Sequence, residues 1–330
     1  MSGAYPWLVA DIGGTNARFG WVAGPGEPVA HVDVLPVAQH KDPASAARAY
    51  LARLALQLPG FTPPRSAAFA VATAVGGDQI ELTNAHWNFS RGATQAELGL
   101  DLLLMLNAFE AQALSLPRLS ATQLRHWPAP LALAASGQTM AVIGPGTGLG
   151  VGGVTPCNGV WLALPGEGGH ATLAASDDFE SALLSHVRRS FEHVSAERLL
   201  SGIGLPTLHG AVAAVLGSNP AETALTTEAI VSQGLSGQDE VCARTLDAFC
   251  ALLGSFAGSV ALTLGARGGV YIGGGIVPRL GERFFASAFR ERFEAKGRFR
   301  PYLEAIPTAL ITDTLAALSG ATLAIEQAQR

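Results

Sequence analysis

Short apolar runs that end in glycine or asparagine recur along this chain. Trp7 to Ile12 is one, and Gly13-Gly14-Thr15-Asn16 follows it. Apolar character resumes from Arg18 to Val22, so the pattern predicts two strands joined by a tight turn. Ser66 to Ala74 and Leu102 to Asn107 read as further strands. Helical spacing is visible in Pro43 to Leu56 and in Phe109 to Leu116, where Pro117 marks the stop. A second series starts at Met140. Met140 to Ile143 predicts a strand, Gly144 to Gly150 a glycine turn, and Val151 to Val154 the returning strand. Helices are predicted over Phe179 to Arg189, Glu197 to Leu200, Val241 to Leu264 and Thr314 to Ala328. Gly269 to Ile272 predicts a strand that ends in Gly273-Gly274-Gly275.

The strand, glycine turn, strand unit thus occurs twice, at Asp11 and at Gly144. Two such halves facing each other would give a cleft with two phosphate-holding turns. The length of 330 residues suits two α/β domains. The best boundary lies between Pro117 and Ala134, where helix signals stop and Pro128 and Pro130 cluster.

Composition narrows the function. Apolar residues make up 48% of the chain and charged residues 14%, which argues for sizeable cores and against long disordered segments. A net charge of −5 disfavours nucleic acid and anionic membrane as partners. Cys157, Cys242 and Cys250 form no CxxC pair and have no histidine at zinc-finger spacing. Free thiols point to a reducing cytoplasm. The first apolar run is too short, and lacks the basic flank, for a signal peptide. Ala248 to Ala266 is uncharged over about 19 residues, long enough to span a bilayer. Gly254 and Gly258 within it allow close helix packing in lipid or in a soluble core, and the rest of the chain favours the core.

The two turns carry the first chemistry. Closely spaced glycines let backbone N–H groups approach phosphate oxygens with no Cβ between them. Gly13, Gly14, Thr15 and Asn16 offer such donors, and Asp11 at the strand end suits Mg²⁺, held mostly through water. Gly146, Thr147 and Gly148 form the second set. That turn lacks the Lys of a Walker A loop and the helix placement of a dinucleotide fingerprint. Gly274 and Gly275 are a third place for close approach, suited to packing under an adenine or ribose.

Several stretches, in order along the chain, resemble the bacterial glucokinase family: LVADIGGTNAR at Leu8 to Arg18, LTNAHWNFS at Leu82 to Ser90, AVIGPGTGLG at Ala141 to Gly150, LPGEGGH at Leu164 to His170, HVSAERLLSG at His193 to Gly202 and GGVYIGGGIVPR at Gly268 to Arg279. The Cys-rich zinc motif of the related repressor–kinase sugar kinases is absent from the sequence. The resemblance implies an actin/hexokinase-like, ribonuclease H-like fold of two α/β domains with an interdomain cleft. The smaller domain would comprise residues 1–118 plus 313–330 and the larger 119–312. It implies transfer of the ATP γ-phosphoryl to the 6-hydroxyl of glucose, with Mg²⁺, in a cytoplasmic protein that forms a homodimer. It also places Asn107, Glu167, His170 and Glu197 on the sugar, with Asn84 and Trp87 as weaker candidates. A hexose offers only hydroxyls, so carboxylate acceptors and an imidazole held rigidly are suitable partners.

One position departs from the family. The residue after the sugar-binding Asn is an Asp there and takes the proton of the attacking hydroxyl. Here Ala108 stands in its place. Asp101 lies seven residues back, about 23 Å along an extended strand. Glu110 in a first helical turn points about 200° away from position 108. Neither is a ready substitute. An introduced substitution and a natural loss of the base both give this sequence. The second would make the chain a non-catalytic sugar-binding sensor or regulator.

Overall fold

The computed structural model describes residues 5–82, 85–127, 137–218 and 225–330. Its contacts form two units. The first is Met1–Leu119 with Cys157–Pro165 and Asp313–Arg330, and the second is Ser120–Pro156 with Gly166–Thr312.

The first unit opens with β1 (Trp7–Ile12), β2 (Asn16–Val22) and β3 (Ala30–Pro36), then α1 (Pro43–Gln57) and β4 (Ser66–Val71). A small hairpin, β5 (Gln79–Glu81) and β6 (Asn88–Ser90), leads through α2 (Arg91–Glu97) to β7 (Leu102–Asn107) and α3 (Ala108–Ser115). The main sheet has the order β3-β2-β1-β4-β7. β1 runs antiparallel to β2 and parallel to β4, and β4 runs parallel to β7. Leu8, Ala10 and Ile12 pack with Phe19, Tyr50 and Phe69 in one apolar cluster. Central strands covered on both faces need no polar alternation, which is why β1 and β4 read as unbroken apolar runs. Asp42 starts α1 by accepting from Ser45 N at 2.7 Å, and Pro43 occupies the first helical position.

In the second unit, β8 (Leu124–His126), β9 (Met140–Pro145) and β10 (Leu149–Cys157) come first. Residues 128–136, which hold the proline cluster, lie outside the described residues. β11 (Val160–Leu164) falls with the first unit and packs on α3, although its place in the chain suggests the second. Then follow α4 (Asp178–Val187), α5 (Leu205–Val215), α6 (Thr227–Ser236) and α7 (Glu240–Leu264). β12 (Val270–Ile272) precedes the short helices α8 (Val277–Leu280), α9 (Glu282–Ala286), α10 (Phe289–Glu294) and α11 (Arg300–Glu304), and β13 (Thr308–Ile311) ends the unit. Within it the strand order is β10-β9-β12-β13-β8, with β12 parallel to both β9 and β13.

Helix α7 is long and apolar enough to cross a membrane by length and composition, yet most of it is buried inside the protein. Its glycines have a specific use. A Cβ on Gly254 would lie 2.2 Å from Phe289 O, and one on Gly258 would lie 2.4 Å from Phe293 O. The pair therefore lets α10 touch the α7 backbone, so the close packing serves a protein core.

The chain closes with α12 (Ala316–Ala328), which packs on α3, β1 and β4 of the first unit. Gly320 is the contact point: a Cβ there would sit 1.7 Å from Ala111 O. The Arg118–Glu326 ion pair joins α12 to the segment after α3.

Candidate active site

In the first unit the turn between β1 and β2 is closed by Gly13 N donating to Asn16 O at 2.9 Å. Val37 N donates to Thr15 O at 2.9 Å, so the residue that follows β3 braces the turn from outside. Thr15 and Asn16 are exposed, and Gly13 and Gly14 are half-buried. The Gly14 and Thr15 amides donate to no atom of the described residues. Two adjacent N–H groups with no protein acceptor form a place for anionic oxygen.

Asp11 sits opposite Arg18 across the β1–β2 ladder, and Arg18 Nη1 donates to Asp11 Oδ2 at 3.1 Å. Burial pushes the Asp11 carboxyl above its ordinary value, and the Arg18 guanidinium holds it back. One carboxylate with its second oxygen uncommitted fits a hydrated Mg²⁺, which keeps several waters and takes few protein ligands.

At the end of β7, Asn107 caps α3. Its Oδ1 accepts from Phe109 N at 2.8 Å, and its Nδ2 donates to Thr73 O at 2.9 Å. Glu110 Oε2 in turn accepts from Asn107 N at 3.2 Å, completing a reciprocal cap. Both ends of the Asn107 amide are thereby fixed; the oxygen is engaged by the first turn of α3, and Nδ2 keeps one N–H for a ligand. Ala108 is the first residue of α3 and is half-buried. Burial raises the Glu110 carboxyl above its usual range, opposed by the Asn107 N–H. That bond commits Glu110 to the cap. Asp101 pairs with Arg65 at the far end of β7. Trp87 is fully buried and donates through Nε1 to His40 O at 2.8 Å, so it is a packing residue. Asn84 lies outside the described residues.

In the second unit the Gly144–Gly150 turn joins β9 to β10. Its carbonyls are spoken for: Gly146 O accepts from Gly202 N at 2.7 Å, Thr147 O from Ile203 N at 3.2 Å, and Pro145 O from Ile276 N at 3.1 Å. Gly148 O accepts from Gly146 N at 2.9 Å. The Thr147 and Gly148 amides, by contrast, donate to nothing among the described residues. A turn whose acceptors are satisfied and whose donors are not presents positive edges outward. Gly274 has φ +75° and a virtual Cβ 2.4 Å from Pro145 O, so its glycine is required by this turn's backbone. Gly275 next to it is exposed, with open space where a Cβ would be.

The putting together of Glu167, His170 and Glu197 depends on the same turn. Gly168 and Gly169 lie flat on β10, where a Cβ on Gly169 would meet Leu149 O at 1.9 Å. Glu197 N donates to Gly169 O at 2.8 Å, and Glu197 Oε2 accepts from Leu149 N at 2.8 Å. Glu197 Oε1 then lies 3.9 Å from His170 Nδ1. His170 N donates to Glu167 O at 3.0 Å, and both side chains are exposed. The structure thus brings the Glu197 carboxylate and the His170 imidazole to one edge beside the second glycine turn, with the exposed Glu167 three residues before the histidine.

The stretch from Glu197 to Leu200 is a turn, not the helix its pattern predicts. Leu200 N donates to Ala196 O at 2.8 Å, which closes one turn, but Gly202 N and Ile203 N are used on Gly146 O and Thr147 O, so the ladder is interrupted. Gly202 and Ile203, which hold the second turn, carry no local signal of that role. Their partners are more than 50 residues away in sequence.

These features define a sugar kinase of two α/β units, each with its own glycine turn. The chain matches the glucokinase family model over residues 8–328. It is 47% identical to the glucokinase of Aromatoleum aromaticum, over 99% of this chain and 96% of that protein. Among solved structures it is similar to a glucokinase from an Antarctic psychrotroph, with a TM-score of 0.88 and 36% identity, covering 98% of this chain and 99% of that one. A repressor–kinase-type hexokinase from Thermus thermophilus shares the fold at a TM-score of 0.67 and 18% identity, covering 97% and 98%. The chain belongs to the glucokinase family, and its fold is the actin/hexokinase-like one.

Proposed function

We propose that this chain binds glucose and Mg·ATP and directs the ATP γ-phosphoryl to the glucose 6-hydroxyl, giving glucose 6-phosphate. The arrangement of Glu167, His170 and Glu197 beside a glycine turn with unspent amides carries this reading. Glu167, His170, Glu197 and Asn107 hold sugar hydroxyls. The Thr147–Gly148 and Gly14–Thr15 amides meet phosphate oxygens, with Asn16, Gly13 and Gly146 shaping the turns and Gly274 and Gly275 beside the nucleoside. Asp11 holds Mg²⁺ through water, and the cation supplies charge neutralisation on the phosphates.

Ala108 removes the group that would accept the hydroxyl proton. General-base catalysis contributes about 10²–10⁴-fold, whereas phosphoryl transfer rests mainly on positioning and charge. Binding therefore persists while turnover is low. The test is a coupled assay of glucose-dependent ADP release, run on this chain beside its Ala108→Asp variant. The expected gain is about 10²–10⁴-fold. No release by Ala108→Asp with Mg·ATP would overturn the proposal. Relatives matched over nearly the full chain are named glucokinases, which weighs against the non-catalytic sensor. The reading includes a cytoplasmic homodimer, for which light scattering on the purified protein is the measurement.

A further inference from the structure

A second cluster of donors lies in the helical layer of the second unit. His209 stands on α5, Asp239 caps the start of α7, and Cys242 sits in the first turn of α7. One donor atom from each, a ring nitrogen, a carboxylate oxygen and a sulfur, lies within 4.8 Å of the other two. His209 and Asp239 are half-buried, and Cys242 is buried. We infer that these three side chains bind one divalent cation of borderline-soft character, with Zn²⁺ the ion that suits them best.

Three observations carry this. The donor set is the N, O and S mixture that Zn²⁺ accepts, at bond lengths of about 2.0–2.3 Å. Such bonds place tetrahedral donors about 3.3–3.8 Å apart, so small side-chain rotations close the cluster. Second, the carboxylate is already oriented: Asp239 Oδ1 accepts from Cys242 N at 2.7 Å, and the carboxylate faces both the Cys242 thiol and the His209 ring. Third, helix capping explains Asp239 and core burial explains Cys242, but neither explains an imidazole on the adjoining helix brought to both. The N-terminal end of α7 opposes a cation. Asp239 and the Cys242 thiolate offset this, since together they balance the charge of the ion. On binding, the thiol proton leaves to solvent and a sulfur–metal bond takes its place. Water completes the fourth position, or Gln233 of α6 does, with Oε1 4.0 Å from Cys242 Sγ.

The ion would join α5 to α7. Helix α5 begins at Leu205, two residues after Ile203, whose N–H holds Thr147 O of the second glycine turn. The site thus braces the support of that turn from behind, while remaining separate from it.

The experiment uses the full chain after chelator dialysis. Titration with Zn²⁺ should show one ion per chain and a rise in unfolding temperature, with Mg²⁺ giving neither. His209→Gln, a partly exposed change that leaves the core intact, should weaken Zn²⁺ binding at least about 10-fold, the least expected for loss of an outer-shell partner. Co²⁺ should give a thiolate charge-transfer band that Cys242→Ser abolishes and Cys157→Ser, at the exposed thiol, retains. No stoichiometric binding, binding unchanged in His209→Gln, or a band that follows Cys157 would each overturn the inference.

Discussion

Gly148→Ala tests how the second glycine turn is tied to the Glu197 carboxylate. A Cβ at Gly148 would lie 2.4 Å from Glu197 Oε2 and 3.3 Å from Glu197 Cδ. Gly148 does not have a positive φ, so an alanine there is not strained by its own backbone. The clash is with the end of a flexible side chain, and the carboxylate can swing away. What it loses is the 2.8 Å bond from Leu149 N, whose residue is only 4% exposed. A hydrogen bond to a charged group is worth about 1.5–3 kcal/mol, and leaving a buried N–H unsatisfied costs a similar amount. These describe the same loss, so the expected cost is about 2 kcal/mol in total. For a unit of this size that lowers the unfolding temperature by about 4–8 °C. Glucose affinity should fall as well, because Glu197 leaves its place beside His170. Calorimetric unfolding and glucose titration measure the two effects. The deciding result is the cycle with Glu197→Ala. Once the carboxylate is gone, Gly148→Ala has nothing left to displace and should cost little more. If Gly148→Ala unfolds at the temperature of the parent, or if the two substitutions simply add, the coupling between turn and carboxylate is refuted.

Gly254→Ala should destabilise the second unit by about 1–3 kcal/mol or more, since its Cβ meets the Phe289 backbone, which cannot rotate away; denaturant unfolding measures this. Arg18→Ala should raise the Asp11 carboxyl further, because burial then acts without its opposing cation. The stability lost is fully present while Asp11 is ionised and shrinks as pH falls through its raised value, so unfolding midpoints of parent and variant should converge in acid. The Asp177 carboxyl is shifted the other way, downward, so its contribution survives to lower pH. The backbone N–H of Glu180, and then Arg292, hold its carboxyl below the usual value. Its contribution is present above the ordinary carboxylate range and is lost as pH falls through the lowered value, so Asp177→Asn should matter at pH 7 and progressively less below pH 4, about the ordinary carboxylate value, as read by circular dichroism.

Much of this was readable from the chain, for a physical reason. Strands buried on both faces leave unbroken apolar runs, so β1, β4, β7 and β9 stand out in the sequence. Asn107 before a helical stretch and Glu110 three residues later are a reciprocal cap written in residue types. The glycine turns were equally plain. Their supports were not. Glu197, Gly202, Ile203 and Gly274 reach the second turn through contacts that span tens of residues, and local pattern holds no trace of them. The same long-range bonds explain the failed helix at Glu197 to Leu200. Helix α5 hides its period behind Pro206, Gly210 and an almost continuous apolar run, and its packing on α4 and α7 alone makes it evident.

Helix α12 has a consequence for synthesis of the chain. The first unit is made of Met1–Leu119, Cys157–Pro165 and Asp313–Arg330, so the intervening stretch Ser120–Thr312 is synthesised before its last part. Until Gly320 seats on Ala111 O, the face of α3, β1 and β4 that α12 covers stays open to solvent. At about 5–20 residues per second, a ribosome needs roughly 10–40 s to make the intervening stretch. During that interval the nascent first unit carries an uncovered apolar surface while the second can already fold. A chaperone that recognises apolar surface would find its substrate there, and synthesis of Asp313–Arg330, not the emergence of the opening residues, would set when that surface closes.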